Sequence, residues 1–230
     1  MIYAMSDLHG RYDLYLKMLD KISFSENDSL YILGDFVDRG VAGLRLLFDV
    51  FSRKNVYPIM GNHDMTALNC MTEIYLDPDS RHRPSLKPRF DFWFRNGGVT
   101  TFNEFLTLNS PKQRILLERM VDMPAFADIT VGDRRFTMCH SGIANYTPDR
   151  PLEDYDLSEL AYKREDYSRP KFNEPNRYLV CGHTPTLNIE GGERGRILRT
   201  HDIFAIDCGA VFDFGLGCLC LDTLDEFYVI

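Results

Sequence analysis

Apolar runs of strand length alternate with helical periodicity through residues 1–60. Ile2 to Met5, Leu30 to Leu33 and Val56 to Met60 are the apolar runs. Between them, apolar residues recur at near-helical spacing and predict helices over 11–22 and 44–51. This repetition of strand, loop and helix predicts an α/β fold with a largely parallel sheet. In such sheets the functional site lies at the carboxyl ends of the strands.

Residues 66–125 depart from this pattern. Segment 77–95 contains prolines and a cluster of basic residues, and it ends in four aromatic residues, Phe90, Phe92, Trp93 and Phe94. One interpretation is a cap that offers positive charge and stacking surfaces over the mouth of a site. The other is a solvated loop followed by an aromatic helix that is buried on the core. Two further helices are predicted over 101–108 and 111–120.

The C-terminal half is rich in predicted strands. Residues 129–131 and 136–139 predict a hairpin around Gly132 and Asp133. Further strands are predicted at four places, 178–181, 203–206, 217–221 and 227–230. A helix is expected over 156–165. These elements suggest a second sheet packed on the first, within a single domain spanning 1–230 that has no repeat and no linker.

Composition limits the classes of partner. The net charge of -8 and the pI of about 5.2 argue against binding nucleic acid, which normally requires a basic face. No apolar stretch has the length of a membrane span, and the N-terminus does not resemble a signal peptide. We therefore expect a cytoplasmic protein without a membrane partner. The six cysteines lack metal-site spacing and are interpreted as small buried hydrophobic residues.

Polar residues able to bind cations follow five of the predicted strands, and most of them adjoin glycine. They are Asp7, His9, Asp35, Asn62, His140 and His183. Carboxylate, amide and imidazole ligands suit borderline cations, so we expect two divalent ions, with Mn first and Fe or Zn as alternatives. Two ions roughly 3.5 to 4 Å apart would share Asp35 and activate a bridging water for in-line attack on phosphorus.

These motifs resemble those of the phosphoprotein phosphatase family within the calcineurin-like metallophosphoesterases. The Asp-Arg-Gly at 38–40 separates this family from other metallophosphoesterases, and the resemblance covers nearly the whole chain. It implies a sandwich of two mixed β-sheets flanked by helices, in which 66–125 forms a cap-like insertion of helix and loop.

The resemblance also implies a role for each motif residue. It assigns Asp7, His9 and Asp35 to a first metal, and to a second metal it assigns Asp35, Asn62, His140 and His183. It makes His63 the acid that protonates the leaving oxygen, Asp38 the carboxylate that orients His63, and Arg39 a ligand of the phosphate oxygens. Asn62 is also expected to contact substrate. Residues 160–165 resemble the segment that supplies another phosphate-binding arginine, which nominates Arg164; the alternative is an exposed helix arginine paired with a glutamate.

Two departures bear on the substrate. Met60 stands where many protein phosphatases of this family carry an arginine, and Asp64 where they carry a glutamate. Asp64 and the Asn-Gly-Gly at 96–98 also resemble the symmetrical dinucleoside tetraphosphatases. The first hypothesis is a metal-dependent phosphomonoesterase acting on phosphoserine and phosphothreonine in proteins, and the alternative is a diadenosine tetraphosphate hydrolase. A catalytically inactive binding module is the third.

Overall fold

The computed structural model describes residues 1–230 and arranges ten strands in two five-stranded sheets. In chain order the strands are β1 (Ile2–Met5), β2 (Ser29–Leu33), β3 (Val56–Ile59), β4 (Phe126–Val131), β5 (Arg134–Cys139), β6 (Arg177–Cys181), β7 (Leu198–Thr200), β8 (Ile203–Ala205), β9 (Leu216–Cys220) and β10 (Glu226–Val229). The strand orders are β10-β9-β1-β2-β3 and β4-β5-β6-β8-β7. Each sheet contains parallel and antiparallel pairs, which confirms the prediction of two mixed sheets.

Seven α-helices flank the sheets. They are α1 (Tyr12–Lys21), α2 (Gly43–Ser52), α3 (Asn62–Leu76), α4 (Lys87–Trp93), α5 (Val99–Thr107), α6 (Ser110–Val121) and α7 (Leu157–Ala161). The predicted helix over 156–165 is too long. The side chain of Asp156 caps the first turn of α7, but Glu165 turns inward to accept a hydrogen bond from the backbone N–H of Ile143. Lys163 and Arg164 therefore lie in the loop that follows α7.

Three hydrophobic clusters define the layers. The cluster between the sheets joins Ala4, Leu33 and Ile59 of the first sheet to residues of β5, β6 and β8, including Phe136 and Phe204. A larger cluster packs the helices α1 to α6 against the other face of the first sheet. The third lies on the second sheet and includes Leu160 of α7. Each sheet therefore packs between two apolar layers. Burying one such side chain contributes about 1.5 to 3 kcal/mol to folding.

The aromatic residues of segment 77–95 belong largely to the core. Phe90 and Trp93 are almost fully buried in the same cluster as Leu30 of β2. These two residues therefore lie in a buried aromatic helix, as one of the two interpretations predicted, and they do not form a stacking cap. Three of the basic residues form ion pairs with nearby acids, namely Arg83 with Asp77, Lys87 with Asp91 and Arg89 with Glu73, and Arg81 lies over the ring of Phe102.

All six cysteines are free and buried, which confirms their interpretation as small core residues. None of the helices combines the length and the apolar composition needed to span a bilayer. The assignment of 1–230 to one domain stays a prediction.

Candidate metal centre

Six parallel strands, three in each sheet, direct their carboxyl ends to one region of the molecule. β1, β2 and β3 are adjacent and parallel in the first sheet, and β5, β6 and β8 are adjacent and parallel in the second. A polar residue follows each of the six within a few positions, in chain order Asp7, Asp35, Asn62, His140, His183 and Asp207.

A cavity of about 290 Å³ lies at these strand ends. Its walls include eight of the predicted site residues, namely Asp7, His9, Asp35, Arg39, Asn62, His63, Arg164 and His183. The other two, Asp38 and His140, are completely buried and are not among the lining residues. Met60 lies in the apolar core rather than on the cavity. The position that carries an arginine in many protein phosphatases therefore does not line the cavity here.

Asp35 belongs to two groups of potential metal ligands. The ligand atoms of His9, Asp35 and His63 lie within 4.8 Å of one another, and so do those of Asp35, His140 and His183. Asp35 Oδ2 lies 3.5 Å from His9 Nε2 and 3.4 Å from His140 Nε2. One carboxylate thus stands between two imidazole clusters, an arrangement suited to a pair of cations.

The first of these groups differs from the predicted one. It contains His63, which the resemblance assigned to proton transfer, and it lacks Asp7. Asp7 lines the same cavity, where its Oδ2 accepts a hydrogen bond from the backbone N–H of His183 at 2.9 Å. Gly182 permits this approach, because a Cβ at that position would collide with the Asp7 carboxylate.

The second group is joined by the amide of Asn62, the first residue of α3. Asn62 Oδ1 lies 2.9 Å from His140 Nε2 and 3.0 Å from His183 Nδ1. One amide oxygen and two imidazole nitrogens therefore converge beside the Asp35 carboxylate. Nitrogen and oxygen ligands in this combination fit a borderline divalent cation such as Mn, Fe or Zn.

Backbone carbonyls orient two of the histidines. The Nδ1–H of His9 donates to the carbonyl of Val37 at 2.9 Å, and that of His140 to the carbonyl of Leu33 at 2.7 Å. In each ring this leaves Nε2 directed at Asp35. Fixing the tautomer of a histidine in this way is the usual function of groups placed behind a metal ligand.

Burial and neighbouring charges separate the pKa values of these groups. Burial lowers the pKa of His9 to about 3, and burial together with His140 lowers that of His183 to about 4. For His140, the Asp35 charge outweighs burial and raises the pKa to about 10. Burial alone would raise the pKa of Asp35, but His140 and His63 bring it well below its ordinary value. Two rings therefore offer free lone pairs, and Asp35 remains an anion.

His63 and Asp38 form a buried pair beside the cavity. The Nδ1–H of His63 donates to Asp38 Oδ2 at 2.8 Å. The other contacts of Asp38 come from Trp93, whose indole N–H donates at 3.0 Å, and from Thr101, whose hydroxyl donates at 2.7 Å. Burial would lower the pKa of His63, but the carboxylates of Asp35 and Asp38 raise it. From the sequence, Trp93 was a candidate only for a stacking cap, and Thr101 was not a candidate.

Arg39 extends its guanidinium between two of the histidines. Its Nη1 lies 3.0 Å from His9 Nε2 and its Nη2 lies 3.0 Å from His63 Nε2. The backbone N–H of Arg39 donates to the carbonyl of Gly97, so the segment after α4 positions this arginine as well. Arg164 reaches the same cavity and forms no ion pair, whereas its neighbour Glu165 pairs with Lys171.

The turns that carry these residues have an unusual backbone. Six of the predicted site residues adopt positive φ angles between 43° and 70°, and they are Asp7, His9, Asp35, Asp38, Arg39 and His183. Residues with a Cβ adopt this conformation at a cost of about 1 kcal/mol or more each. Other contacts must therefore hold the turns in place.

Asp64 supplies such contacts for the turn after β2. Its carboxylate accepts hydrogen bonds from the backbone N–H groups of Asp35 at 2.7 Å, Phe36 at 2.9 Å and Gly61 at 3.0 Å. Burial and the nearby Asp35 charge raise the pKa of Asp64 to about 7. Asp64, which the sequence marked as a departure from glutamate and as a likeness to the dinucleoside tetraphosphatases, thus joins the turn after β2 to the start of α3.

Asp207 is the site residue that sequence reasoning missed. It follows β8 and lines the cavity, and its Oδ1 accepts the backbone N–H of Gly209 at 2.9 Å. Burial and the Asp7 carboxylate raise its pKa well above the ordinary value, and burial raises the pKa of Asp7 to about 6. The signal was present as an apolar run, 203–206, that ends in Asp-Cys-Gly.

Comparisons with known proteins agree with this geometry. The profile of the calcineurin-like phosphoesterases matches residues 1–207. A symmetrical bis(5'-nucleosyl)-tetraphosphatase of Wigglesworthia glossinidia brevipalpis is 37% identical over 68 residues, which are 29% of this chain and 25% of that protein. The serine/threonine-protein phosphatase PP1-delta of Caenorhabditis elegans is 31% identical over 87 residues, 36% of this chain and 28% of the relative. Each match thus spans little more than a quarter of the relative.

A solved structure supports the fold over a longer span. A crystal structure of a chain provisionally named a diadenosine tetraphosphatase superposes with a TM-score of 0.65 at 16% identity. The superposition covers 99% of this chain and 92% of the other. At this level of identity the similarity establishes a shared architecture.

Proposed function

The chain belongs to the calcineurin-like phosphoesterase family, and we propose that it is a hydrolase that uses two divalent cations to cleave a phosphate ester or anhydride. One observation carries the proposal. The Asp35 carboxylate belongs to both ligand groups and lies within 3.5 Å of an imidazole nitrogen from each. A shared carboxylate between two nitrogen-rich clusters is what a dinuclear phosphohydrolase requires.

The donor set of the cavity suits this cofactor. We assign Asp7, His9 and Asp35 to one cation, and to the other we assign Asp35, Asn62, His140 and His183. When bound, the cations would activate water and neutralise charge on the phosphate. Manganese is the cation to test first, since mixed oxygen and imidazole ligands suit it as well as iron or zinc.

The leaving group requires a proton, and we assign its donation to His63. Its Nδ1 donates to the buried Asp38, and its Nε2, which faces the Arg39 guanidinium at 3.0 Å, would carry the proton once Arg39 has turned to the phosphate. The carboxylates around His63 raise its pKa and so favour the protonated ring that a general acid needs. Arg39 and Arg164, which line the same cavity, would bind the phosphate oxygens that do not react.

We infer that the substrate is a dinucleoside tetraphosphate. The tetraphosphatase relative supports this choice, as does the position of Asn96 on the cavity wall beside Arg39. Phe212 also lines the cavity and is 49% exposed, so it offers a surface for a base, whereas Trp93 is buried and engaged with Asp38.

Protein phosphoserine or phosphothreonine, the substrate first expected from the sequence, is the second candidate because of the similarity to PP1-delta. The inactive binding module loses support, because the His63 and Asp38 pair is intact and each proposed cation retains its ligands in or beside one cavity.

The test is a substrate comparison with controlled metal. Protein freed of metal by chelation is loaded with Mn and incubated with diadenosine tetraphosphate, with a phosphothreonine peptide and with p-nitrophenyl phosphate. We expect Mn-dependent formation of ADP from the dinucleotide, and no such turnover in Asp35→Asn. Phosphate release from the peptide alone would select the second candidate. Absence of Mn-dependent turnover of all three compounds would reject the proposed function.

A further inference from the structure

A second and larger cavity adjoins the metal centre. Its volume is about 590 Å³, and four basic side chains, Lys163, Arg164, Arg169 and Lys171, contribute to its walls. Arg164 lines this cavity and the catalytic cavity as well. A ligand that contacts Arg164 on both sides would extend from one cavity into the other.

The charges of this second cavity do not cancel. The only acidic residues on its walls are Glu165, which pairs with Lys171 at 2.5 Å, and Asp166, which pairs with Arg169 at 3.0 Å. Lys163 and Arg164 have no ion-pair partner, so four basic residues face two acidic ones. In a protein of net charge -8, this local excess of two positive charges favours an anionic ligand.

The polarity of the walls narrows the class of ligand. Only four of the fourteen lining residues are hydrophobic, which suits phosphate better than a nucleobase. Because Arg164 lines both cavities, an anion in the second cavity would be joined to the phosphate that is cleaved in the first. An oligophosphate chain meets both conditions, since its neighbouring phosphates are linked directly to the reacting one.

We propose that the second cavity binds the phosphates of an oligophosphate substrate that lie beyond the cleaved bond, and that Lys163 selects for them. The proposal rests on the proposed function and specifies its substrate class. Lys163 is exposed and unpaired, so its ammonium group is free to contact a phosphate oxygen. We expect the contact between Lys163 and a second phosphate to strengthen binding about tenfold.

The test compares inhibitors that differ by one phosphate. AMP and ADP are measured as competitive inhibitors of p-nitrophenyl phosphate hydrolysis by the Mn-loaded enzyme, with Mn in excess over all phosphate compounds. In Lys163→Gln, we expect the ratio of the ADP to the AMP inhibition constant to rise about tenfold. Lys163→Arg should keep the ratio near that of the original protein. Lys54→Gln, which removes the charge of another exposed lysine, should leave the ratio unchanged.

Three outcomes would overturn the inference, and the third requires a phosphopeptide as a further inhibitor. One is a ratio in Lys163→Gln within twofold of the original. The second is an equal loss for AMP and ADP, which would indicate a general electrostatic effect. The third is a loss confined to a phosphopeptide with acidic flanks, which would assign the cavity to peptide carboxylates instead. If the Mn-loaded protein hydrolyses no substrate, the proposed function fails, and calorimetric binding of ADP and AMP to the same variants still tests Lys163.

Discussion

The two sheets contribute differently to the metal centre, although each provides three parallel strand ends. The first sheet carries the Asp35 carboxylate, the proposed proton donor His63 and the proposed phosphate ligand Arg39, on turns stabilised within the same half of the molecule by Asp64, Trp93 and Thr101. The second sheet supplies mainly imidazoles, and their partners lie on the first sheet.

The hydrogen bonds of the second half show this dependence. His140 donates to the carbonyl of Leu33, and the backbone N–H of His183 donates to Asp7. Both rings also contact Asn62. The proposed reacting groups therefore lie on the first sheet, and His140 and His183 of the second sheet complete the ligand set of one proposed cation. Changes in the first half should affect chemistry as well as cation binding, whereas changes to these two histidines should affect mainly the affinity for one cation.

The largest expected effect comes from the shared carboxylate. Asp35→Asn should lose both cations and all measurable turnover, because Asp35 belongs to both ligand groups. His183→Asn, in the second half, removes a direct ligand and should weaken the binding of one cation by at least the roughly 10- to 100-fold that is typical of changes behind a ligand, with activity regained at high Mn. Metal content by emission spectroscopy and Mn titrations of activity distinguish the two. Retention of two tightly bound ions by Asp35→Asn would contradict the assignment, provided that circular dichroism shows an unchanged fold.

His63→Ala tests proton transfer in the first half. It should keep both cations and lose about 100- to 10,000-fold in kcat on a substrate with a poor leaving group. The loss on p-nitrophenyl phosphate should be much smaller, because that leaving group needs little protonation. The ratio of the two rates is the measurement. Equal losses on both substrates, or a loss of bound metal, would make His63 a ligand, as its place in the first cluster allows.

Asp7 makes the metal-free protein sensitive to pH. Burial raises the pKa of Asp7 from its ordinary value of 3.8 to about 6, so the folded state binds this proton more tightly than the unfolded chain does. Stability from this group therefore falls as the pH rises from 4 to 6, by about 3 kcal/mol in all. Asp7→Asn should match the original protein near pH 4 and exceed it at pH 7 by up to about that amount.

Urea unfolding in the presence of a chelator measures this difference. With Mn present, the order at pH 7 should reverse, because the ionised carboxylate then has a cation to bind. If Asp7→Asn and the original protein differ in stability by the same amount at pH 4 and pH 7, Asp7 does not cause the pH dependence.

The smallest expected effect comes from Trp93, which contacts Asp38, the partner of the proposed proton donor His63. Trp93→Phe removes the indole N–H that donates to Asp38, while Thr101 still contacts that carboxylate. We expect kcat to fall about tenfold on substrates with poor leaving groups and less on p-nitrophenyl phosphate. Phe90→Leu, in the same buried cluster, is the control that loses packing without this hydrogen bond. The same loss of kcat in both variants would make Trp93 a packing residue only.

Most of the first half could be predicted from the sequence, because its signals are local. Apolar runs that end in Asp-x-His, Gly-Asp and Gly-Asn-His mark β1, β2 and β3, and the structure makes these strands adjacent and parallel. The same runs predicted a parallel α/β core, and the sandwich of two mixed sheets was implied by the family resemblance. Because the carboxyl ends of adjacent parallel strands lie at one edge of the sheet, residues far apart in sequence reach one cavity.

What could not be predicted depends on partners distant in sequence. Trp93 donates to a carboxylate 55 residues away, and no periodicity indicates that contact. Asp207 ends a predicted apolar run, but its turn carries no histidine and no glycine beside the aspartate, so its place on the cavity was not recognised. The interpretation of 77–95 as a cap was wrong for Phe90 and Trp93, because an aromatic run has the same pattern whether it covers a site or fills a core.

The order of the ligands along the chain has a consequence for biosynthesis. The two clusters join residues from His9 to His183, and the second imidazole pair follows β5 and β6 of the second sheet. A nascent polypeptide that has emerged only as far as α6 carries the shared aspartate without either of those rings. The cation assigned to His140 and His183 can therefore bind only after the second sheet has been synthesised, and a translation product truncated before His183 should not bind metal at that position.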